Sequence, residues 1–432
     1  MTEIPAATSP ALFVLDVFWV AFALAGLAAA GAALYLVALA FASIRRRSVQ
    51  AAAPQSRIAV LVPAHDEAAL VSRCVTSLRQ QSYPPDLFDI VVIADNCTDD
   101  TATRAEAAGA TVLVRTAPDA RGKGPALRWA MDGLLERDPD LDAVAVVDAD
   151  SVADPGLLGA LVARLERGAP VVQAEYLGRN EDESTRSELR AAAFVLFHRV
   201  RFGGRAALGL PCHLVGNGML FSRQLLEDHP WDAFTSAEDL EYSVDLRLAD
   251  VRPVYASDAR LAAPVVGRGR GAQVQRLRWE GGRFHVVRTR LPRLLAEVVG
   301  RGRWSLLDAA VDLAVPPLGL LAAGTLLGAA LGAVLLGAGV ARWWAVTPWL
   351  VALVAVPTFV VVGLAAARVP GSMWRALLLA PALVTTEMWT RLRLLRGLGA
   401  HTWERTDRSG GERSDSAPER PVVVAAPRGR TP

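Results

Sequence analysis

Three apolar runs, each long enough to cross a bilayer, constrain this sequence more than any other feature. The first covers 10–42 with Asp16 as its only charge, and the other two, 316–341 and 344–367, carry no charge. Because a helix of about 20 apolar residues spans the hydrocarbon core of a membrane, these runs predict three transmembrane helices. The polar sequence between the first two runs would then form a domain outside the bilayer.

The residues that flank these runs predict the orientation of the chain. Glu3 precedes the first run, which has no basic start and is too long for a signal-peptide core, so it is predicted to be a retained anchor with its amino terminus outside. The arginines at 45–47 would keep the central domain in the cytoplasm. Trp343, Trp344 and Trp349 suit the outer interface between the second and third spans. A multi-pass cell-membrane protein is therefore predicted, with an anchor at 1–47 and two spans at 316–368.

Two further segments are predicted to contact the membrane without crossing it. Arginines alternate with leucine and valine within 286–315, which indicates an amphipathic helix on anionic headgroups; a solvated basic helix beside the core is the alternative. The segment 372–398 is apolar but contains Pro381 and Glu387, so we expect an interfacial or re-entrant structure. If it crossed, a cluster of arginines would lie outside, against the positive-inside bias. The tail, 399–432, has the composition of a disordered cytoplasmic segment.

The central region, 55–285, alternates short apolar runs with helical stretches. This alternation predicts a Rossmann-type α/β domain, with a mostly parallel sheet covered by helices on both faces. Ligands of such sheets lie at the carboxyl ends of the strands. The predicted strands are 58–62, 90–94, 111–114, 143–147 and 170–174; the predicted helices are 68–80, 101–108, 123–135, 155–167, 187–208 and 240–248.

Charge and cysteine content exclude some functions. The net charge is +2, and no basic stripe is interleaved with aromatic residues, so nucleic acid is not a predicted partner. Cys74, Cys97 and Cys212 are an odd number of cysteines in a region predicted to face a reducing compartment. All three are expected to be free thiols.

Two carboxylates follow the fourth predicted strand directly. Asp148 and Asp150 are two residues apart, so in extended chain they project to the same side. Hard oxygen ligands of this kind favour Mg²⁺ or Mn²⁺, with phosphate oxygens and water completing the coordination. The alternative is an acidic turn that caps the helix beginning near Asp154.

Six motifs follow one another along the chain: Pro63-Ala64-His65-Asp66-Glu67, Asp95-Asn96, Gly122-Lys123-Gly124, Asp148-Ala149-Asp150, Glu238-Asp239 and Gln275-x-x-Arg278-Trp279. In this order they resemble membrane-embedded family 2 glycosyltransferases, the group of the cellulose, hyaluronan, chitin and poly-N-acetylglucosamine synthases and of ceramide glucosyltransferase. The resemblance covers roughly residues 55–408. It implies a GT-A-like fold with transmembrane helices before and after it.

The resemblance implies a nucleotide site at the ends of the first strands. Glu67 and Asp95 would lie near the uridine, and Lys123 would contact the diphosphate. Viewed alone, Glu67 suits a helix N-terminus, whereas a lysine at a helix start is mildly unfavourable. The implied nucleotide-binding residues are Pro63, Ala64, His65, Glu67, Asp95, Lys123 and Asp148.

The resemblance also implies roles in metal binding and catalysis. Asp148 and Asp150 would hold the divalent metal that neutralises the departing diphosphate. Asp239, preceded by Glu238, would be the base that removes a proton from the acceptor hydroxyl. Without the other motifs, Asp239 is more simply an acid in the first turn of a helix. Ala237 stands where the family usually has threonine or a similar residue.

An acceptor and diphosphate site is implied by the remaining motifs. Arg278 would bind diphosphate, and Trp279 would stack on an acceptor sugar or lipid headgroup. Glycines near Gly216 would permit close approach of a sugar ring, and Trp403 lies in an element that resembles a gate over the nucleotide site. The residues assigned to this site are Gln275, Arg278, Trp279, Gly216 and Trp403.

Taken together, these features predict an inverting glycosyltransferase that uses a UDP-sugar and a divalent metal. The expected acceptor is a hydroxyl of a growing cell-envelope or extracellular polysaccharide. A glycolipid synthase acting on a membrane lipid is a close alternative, because three spans offer little wall for a translocation channel. A non-catalytic membrane scaffold that binds nucleotide sugar is disfavoured, since the spans carry no intramembrane charge pair.

Overall fold

The computed structural model describes residues 10–45, 54–179, 185–264 and 270–380, and only the backbone of 10–13, 179, 186 and 270–278. Its centre is a mixed sheet of eight strands in the order β3-β2-β1-β4-β7-β6-β8-β5. Strands β1 to β4 are parallel, whereas β7 runs antiparallel to both of its neighbours. The strands are β1 Ile58–Ala64, β2 Phe88–Asp95, β3 Thr111–Arg115, β4 Ala143–Val146, β5 Val152–Ala153, β6 Val171–Arg179, β7 Met219–Ser222 and β8 Val254–Pro264.

Helices account for most of the remaining described residues. The helices from α2 to α10 belong to the central domain. Helices α12 and α13, which follow it along the chain, are long and apolar. A π-helical segment, Val195–Phe202, joins α6 to α7. The helices are α1 Pro10–Ala42, α2 Val71–Arg79, α3 Thr101–Ala107, α4 Lys123–Arg137, α5 Leu157–Leu165, α6 Thr185–Phe194, α7 Gly203–Ala207, α8 Arg223–Asp228, α9 Glu238–Leu248, α10 Arg270–Arg301, α11 Leu307–Ala314, α12 Leu318–Gly337, α13 Trp343–Ala367 and α14 Gly371–Ala376.

The central sheet is buried on both faces, as predicted. Along β1, Val60 and Val62 pack with α2 and α5, whereas Ala59 and Leu61 pack with α4 and α9 on the opposite face. Successive side chains of a strand point to opposite faces, so a strand covered on both sides must be apolar at every position. This explains the uninterrupted apolar run that predicted β1.

The predicted elements match the structure closely up to β6, except for the two-residue strand β5, which was not predicted. Beyond β6 the structure differs in several respects. Strand β8, which pairs with β6, was also not predicted. The single helix expected at 187–208 is α6, the π-helical segment and α7, which lie end to end. The sheet also gains the antiparallel strand β7, which inserts between β4 and β6. Its sequence, Met219–Ser222, is only four residues long and lacks the helix–strand alternation by which parallel strands are recognised.

Among the described residues, three helices are long and apolar enough to cross a membrane: Val14–Ala42, Leu318–Gly337 and Trp343–Ala367. Trp349 of α13 packs against glycines of the other two helices. A Cβ on Gly26 of α1 or on Gly328 of α12 would lie under 3 Å from the Trp349 ring. Small residues of this kind permit close packing of helices within a bilayer. At one end of this bundle Arg342 pairs with Asp16 at 2.9 Å, so the start of α1 lies beside the α12–α13 turn. That placement agrees with the predicted topology, whose orientation stays a prediction.

The basic segment predicted at 286–315 lies within α10, the following turn and α11. Val286, Leu294 and Val298 of α10 pack against α9 and α11 in a buried apolar cluster. Arg290 pairs with Glu241 and with Asp245 of α9, both at 2.8 Å. These contacts favour a helix beside the core, while contact of its outer face with lipid stays a prediction. Of the segment predicted at 372–398, the described residues end at 380.

Candidate active site

Lys123 connects three segments at the carboxyl edge of the parallel strands. It begins α4, directly after Gly122, whose φ of +124° is open to glycine but strained for other residues. The Nζ atom of Lys123 donates to a carboxylate oxygen of Asp148, just beyond β4, and to the carbonyl oxygen of Gly216, just before β7. The predicted diphosphate lysine therefore lies beside the predicted metal-binding acid.

A buried amide holds the backbone of Asp148 in place. The Asp148 N–H donates to Asn217 Oδ1 at 3.0 Å, and Asn217 Nδ2 donates to Ser151 Oγ at 2.8 Å. Gln173 of β6 donates to the Asn217 carbonyl at 2.7 Å. Asn217, Ser151 and Gln173 are all fully buried. Because buried polar groups that lose a partner are costly, this network fixes the turn at 148–151 against the loop at 216–218.

Gly216 brings the carboxylate of Asp239 next to Lys123. Its φ is +76°, and a Cβ built on it would lie 3.1 Å from Asp239 Oδ2 and 3.4 Å from Lys123 Nζ. The backbone therefore passes closer to both charged groups than a residue with a side chain would allow. Lys123, Asp148, Gly216 and Asp239, predicted separately from four motifs, form one cluster.

The Gly216→Ala variant is expected to lower kcat/KM by roughly 10–100-fold, since displacement of catalytic groups by an ångström costs about that much. The added methyl group would press on the Asp239 carboxylate and strain a backbone with positive φ. Steady-state kinetics on the purified full chain measures this. Gly133→Ala, at a helical glycine with nothing within 4 Å of its Cβ position, is the matched control and should leave kcat/KM unchanged.

The cluster is electrostatically crowded. Burial and the neighbouring Glu238 carboxylate raise the pKa of Asp239 to about 7, although the Leu240 N–H, which donates to Oδ1 at 2.8 Å, and Lys123 oppose this. Burial alone would lower the pKa of Lys123, but the carboxylates of Asp148 and Glu238 hold it above its usual value. A carboxylate with a pKa near neutrality is well suited to accept a proton at physiological pH.

Helix α10 packs against the loop that carries this acid. A Cβ on Gly282 would lie 2.7 Å from Ala237 Cβ and 3.0 Å from the Ala237 nitrogen, immediately before Glu238 and Asp239. Trp279, one turn earlier in α10, is 45% exposed, which is compatible with a stacking surface. The side chains of Gln275 and Arg278 lie outside the described part of the chain, as does Trp403, so their assignments stay predictions.

The predicted nucleotide residues lie at the adjoining ends of β1 and β2. His65 Nδ1 is 2.7 Å from the carbonyl oxygen of Asp95, and the Glu67 N–H donates to Thr101 Oγ1 at 2.8 Å. Pro63 and Ala64 are the last two residues of β1. The carboxylate of Asp95 is not simply exposed for a ligand: its Oδ1 accepts from Arg115 at 2.5 Å. A contact between Asp95 and uridine would have to share this oxygen or use Oδ2.

The donor set around Lys123 fits a divalent cation. The carboxylates of Asp148, Glu238 and Asp239 interact with one ammonium group, and Asp150 is half-buried in the same turn as Asp148. This excess of hard oxygen donors over cations is the environment that Mg²⁺ or Mn²⁺ favours.

A second group of potential ligands, Asp66, Cys97 and Asp99, lies where the loops after β1 and β2 meet. Its carboxylates are already engaged, since Asp66 accepts from the Thr98 N–H at 2.6 Å and Asp99 from the Thr101 N–H at 3.0 Å. Burial also raises the pKa of the Cys97 thiol, so it remains a protonated and poor ligand. We interpret this group as a hydrogen-bonded loop contact. All three cysteines are free thiols, as predicted.

The family model described as "Glycosyltransferase like family 2" matches residues 54–305, which is more than half of the chain. The chain belongs to this family. The match begins just before β1, includes the whole candidate site and ends in the turn after α10. This family 2 glycosyltransferase has a GT-A-like α/β fold flanked by candidate membrane helices.

Curated relatives match a shorter part of the chain. A β-monoglucosyldiacylglycerol synthase of Nostoc sp. is 28% identical over 200 residues, which are 44% of this chain and 41% of the relative. A probable glycosyltransferase of Bacillus subtilis is 25% identical over 195 residues, 44% of this chain and 46% of the relative. The chain therefore spans less than half the length of these relatives.

Among solved structures, a mannosyltransferase of Pyrobaculum calidifontis in complex with GDP-Man and Mn²⁺ is similar to this chain. It has a TM-score of 0.49 and 21% sequence identity, and the match covers 78% of this chain and 97% of that chain.

Proposed function

We propose that this glycosyltransferase transfers a sugar with inversion from a UDP-sugar to a hydroxyl group of a membrane lipid. The observation that carries the chemistry is the contact of Lys123 with Asp148 and with the Gly216 carbonyl, in a cluster where Asp239 lies beside Gly216. One side of the cluster suits an anionic leaving group, and the other offers a base with a pKa of about 7.

Each residue of the cluster has a separate task in the proposed reaction. The ammonium group of Lys123 binds the donor diphosphate, and Asp239 accepts the proton of the acceptor hydroxyl while its oxygen attacks the anomeric carbon. The bond from that carbon to the β-phosphate oxygen breaks, and UDP leaves. A divalent metal held by Asp148 and Asp150 would neutralise charge on the leaving group. Because attack is direct and in line, no enzyme nucleophile is required and an α-linked donor yields a β-linkage.

A lipid acceptor is supported by the connection of the cluster to the candidate membrane helices. Gly282 packs against Ala237, and α10 leads through one turn and α11 into α12. An acceptor that enters beside α10 would therefore reach Asp239 directly from the bilayer surface. The match to β-monoglucosyldiacylglycerol synthases adds support for a diacylglycerol-type acceptor.

A growing polysaccharide is the second candidate acceptor. The Gln-x-x-Arg-Trp pattern at 275–279 favours it, because Trp279 is exposed enough to stack on a sugar ring. The three candidate spans within the described ranges, on the other hand, could form only a small part of the wall of a channel that exports a polymer.

Product analysis tests the proposal and separates the acceptors. The purified full chain is incubated with Mn²⁺, a bilayer lipid extract containing diacylglycerol, and a panel of UDP- and GDP-sugars, and the nucleotide diphosphate released is measured. We expect release with a UDP-sugar and a labelled product that partitions into organic solvent. A water-soluble ladder of sizes would overturn the lipid acceptor in favour of a polymer. No turnover with any donor would overturn the catalytic proposal.

Asp150→Asn is expected to weaken Mn²⁺ binding and transfer by roughly 10–100-fold or more, since even residues that only support metal ligands contribute that much. Calorimetric titration of Mn²⁺, in the presence of UDP, measures binding without requiring turnover. Asp154→Asn removes an exposed acid four residues away and is the control. Equal Mn²⁺ affinity in wild type and Asp150→Asn would contradict the metal assignment.

A further inference from the structure

A cavity of about 250 Å³ lies outside the candidate active site and shares none of its residues. Its walls are the end of the π-helical segment and α7 on one side and the start of β8 on the other. Among the residues that the structure describes, four arginines and one carboxylate, that of Glu175, line the cavity, so this lining carries a net charge of +3. The lining arginines are Arg45, Arg164, Arg199 and Arg252.

The cavity's one carboxylate is already neutralised. Glu175 is fully buried and pairs with Arg199 Nε at 2.5 Å and with Arg260 Nε at 3.0 Å. Arg164 pairs with Asp258 at 2.6 Å, which neutralises Arg164, whereas Glu175 is shared by Arg199 and Arg260 and balances only one of them. Within the described ranges, neither Arg45 nor Arg252 has a carboxylate partner. The cavity therefore presents unbalanced guanidinium charge, the usual environment for a phosphate or phosphodiester.

The position of the cavity points to a lipid as the source of that phosphate. Gly204 of α7 packs directly on α1, since a Cβ there would meet the Leu39 carbonyl. The candidate span ends at Ala42, so Arg45 lies at the level of the headgroups if α1 crosses the membrane. Leu208, in the turn after α7, is 57% exposed. An exposed leucine next to arginines is typical of a surface that enters the headgroup region.

We infer that this cavity binds the phosphodiester headgroup of an anionic phospholipid and so fixes the catalytic domain against the inner end of α1. Pockets for whole drug-sized ligands measure about 300–1,000 Å³, so this smaller cavity suits a headgroup, with the acyl chains remaining in the bilayer. The inference rests on the proposed membrane attachment of the enzyme but not on its proposed chemistry.

Thermal unfolding in mixed micelles tests this inference without any donor sugar. The full chain, in a neutral detergent, is heated with added phosphatidylglycerol, phosphatidylcholine or inorganic phosphate, and tryptophan fluorescence reports the midpoint. Phosphatidylglycerol is expected to raise the unfolding midpoint by about 2–4 °C. This is the effect, in a domain of this size, of a lipid present at roughly ten times its Kd or more. Phosphatidylcholine and inorganic phosphate should have little effect.

Paired variants identify the site. Arg45→Gln/Arg252→Gln should abolish the shift caused by phosphatidylglycerol, whereas Arg104→Gln/Arg137→Gln, which removes two exposed arginines of α3 and α4, should preserve it. A full shift in the first double variant, or an equal shift with phosphatidylcholine, would overturn the inference. An equal shift with inorganic phosphate alone would overturn the lipid source. Because unfolding requires no turnover, a failure of the proposed transfer reaction is recognised separately.

Discussion

Asp239→Asn is expected to lower kcat for sugar transfer by about 10²–10⁴-fold, the typical contribution of a positioned general base. The substitution is nearly isosteric, and the new amide oxygen can still accept from the Leu240 N–H. It removes the group that accepts the proton while leaving Lys123 and Asp148 in contact. The KM for the donor should therefore change little, and release of UDP measured at saturating donor reports the loss.

A second acid of the same helix provides the control. Asp245→Asn removes a carboxylate of α9 that pairs with Arg290, on the side of the helix that faces α10. It should retain turnover within a few-fold of wild type. Undiminished turnover in Asp239→Asn would remove this residue from the catalytic role, whereas a similar loss in both variants would indicate damage to α9.

The pH dependence provides an independent measure of the same group. A base must be deprotonated to act, so kcat/KM should fall as the pH decreases through the Asp239 pKa of about 7. Asp239→Asn should lose this acidic limb along with most of its activity. A wild-type profile that stays flat between pH 6 and 8 would contradict the raised pKa.

The parallel part of the fold was predictable because the sequence encodes it locally. Strands β1 and β4 are buried on both faces, so their apolar runs stand out against the polar ends of the helices between them. Strand β7 was not predicted, because its four residues satisfy antiparallel pairing with β4 and β6 that depends on distant sequence. The three long apolar helices lie within four residues of the predicted bounds, because an apolar run long enough to span a bilayer is recognisable from sequence alone.

The sequence predicted the charged residues of the candidate site but not the buried polar residues that hold them in place. Lys123, Asp148 and Asp239 belong to motifs, whereas nothing local indicated that Gln173, in the middle of β6, donates to Asn217. A polar residue in an otherwise apolar strand was the available signal. The contact between Gly282 and Ala237 joins segments 45 residues apart and follows only from packing of α10 on α9.

A buried charge network, also absent from the sequence predictions, connects His213, in the segment before β7, to the first candidate span. Asp312 of α11 is fully buried and contacts Arg201 at 2.6 Å, Arg205 at 3.1 Å and His213 at 2.5 Å. Tyr35 of α1 donates to the same carboxylate at 3.2 Å. Burial alone would raise the pKa of Asp312, but the arginines and His213 hold it well below its usual range.

Asp312→Asn is therefore expected to destabilise the protein by about 3–5 kcal/mol, because removal of one partner leaves buried charges uncompensated. Arg205 retains Asp308 at 2.8 Å, but Arg201 loses its only described carboxylate partner. The unfolding midpoint of the detergent-solubilised full chain measures the loss. His213 lies three residues before Gly216, so turnover should also decrease at temperatures at which the variant remains folded.

A matched substitution at an exposed pair shows why burial decides the size of this effect. Asp89→Asn breaks the contact with Arg57 at 3.2 Å, but the two side chains are 62% and 42% exposed. Water then solvates the remaining arginine, so the cost should stay below about 1 kcal/mol. If Asp312→Asn lowered the midpoint no more than Asp89→Asn, the network would not stabilise the junction of α1, α11 and the segment before β7. A large loss confined to Asp312→Asn would instead mean that buried charges, which water cannot replace, stabilise this junction.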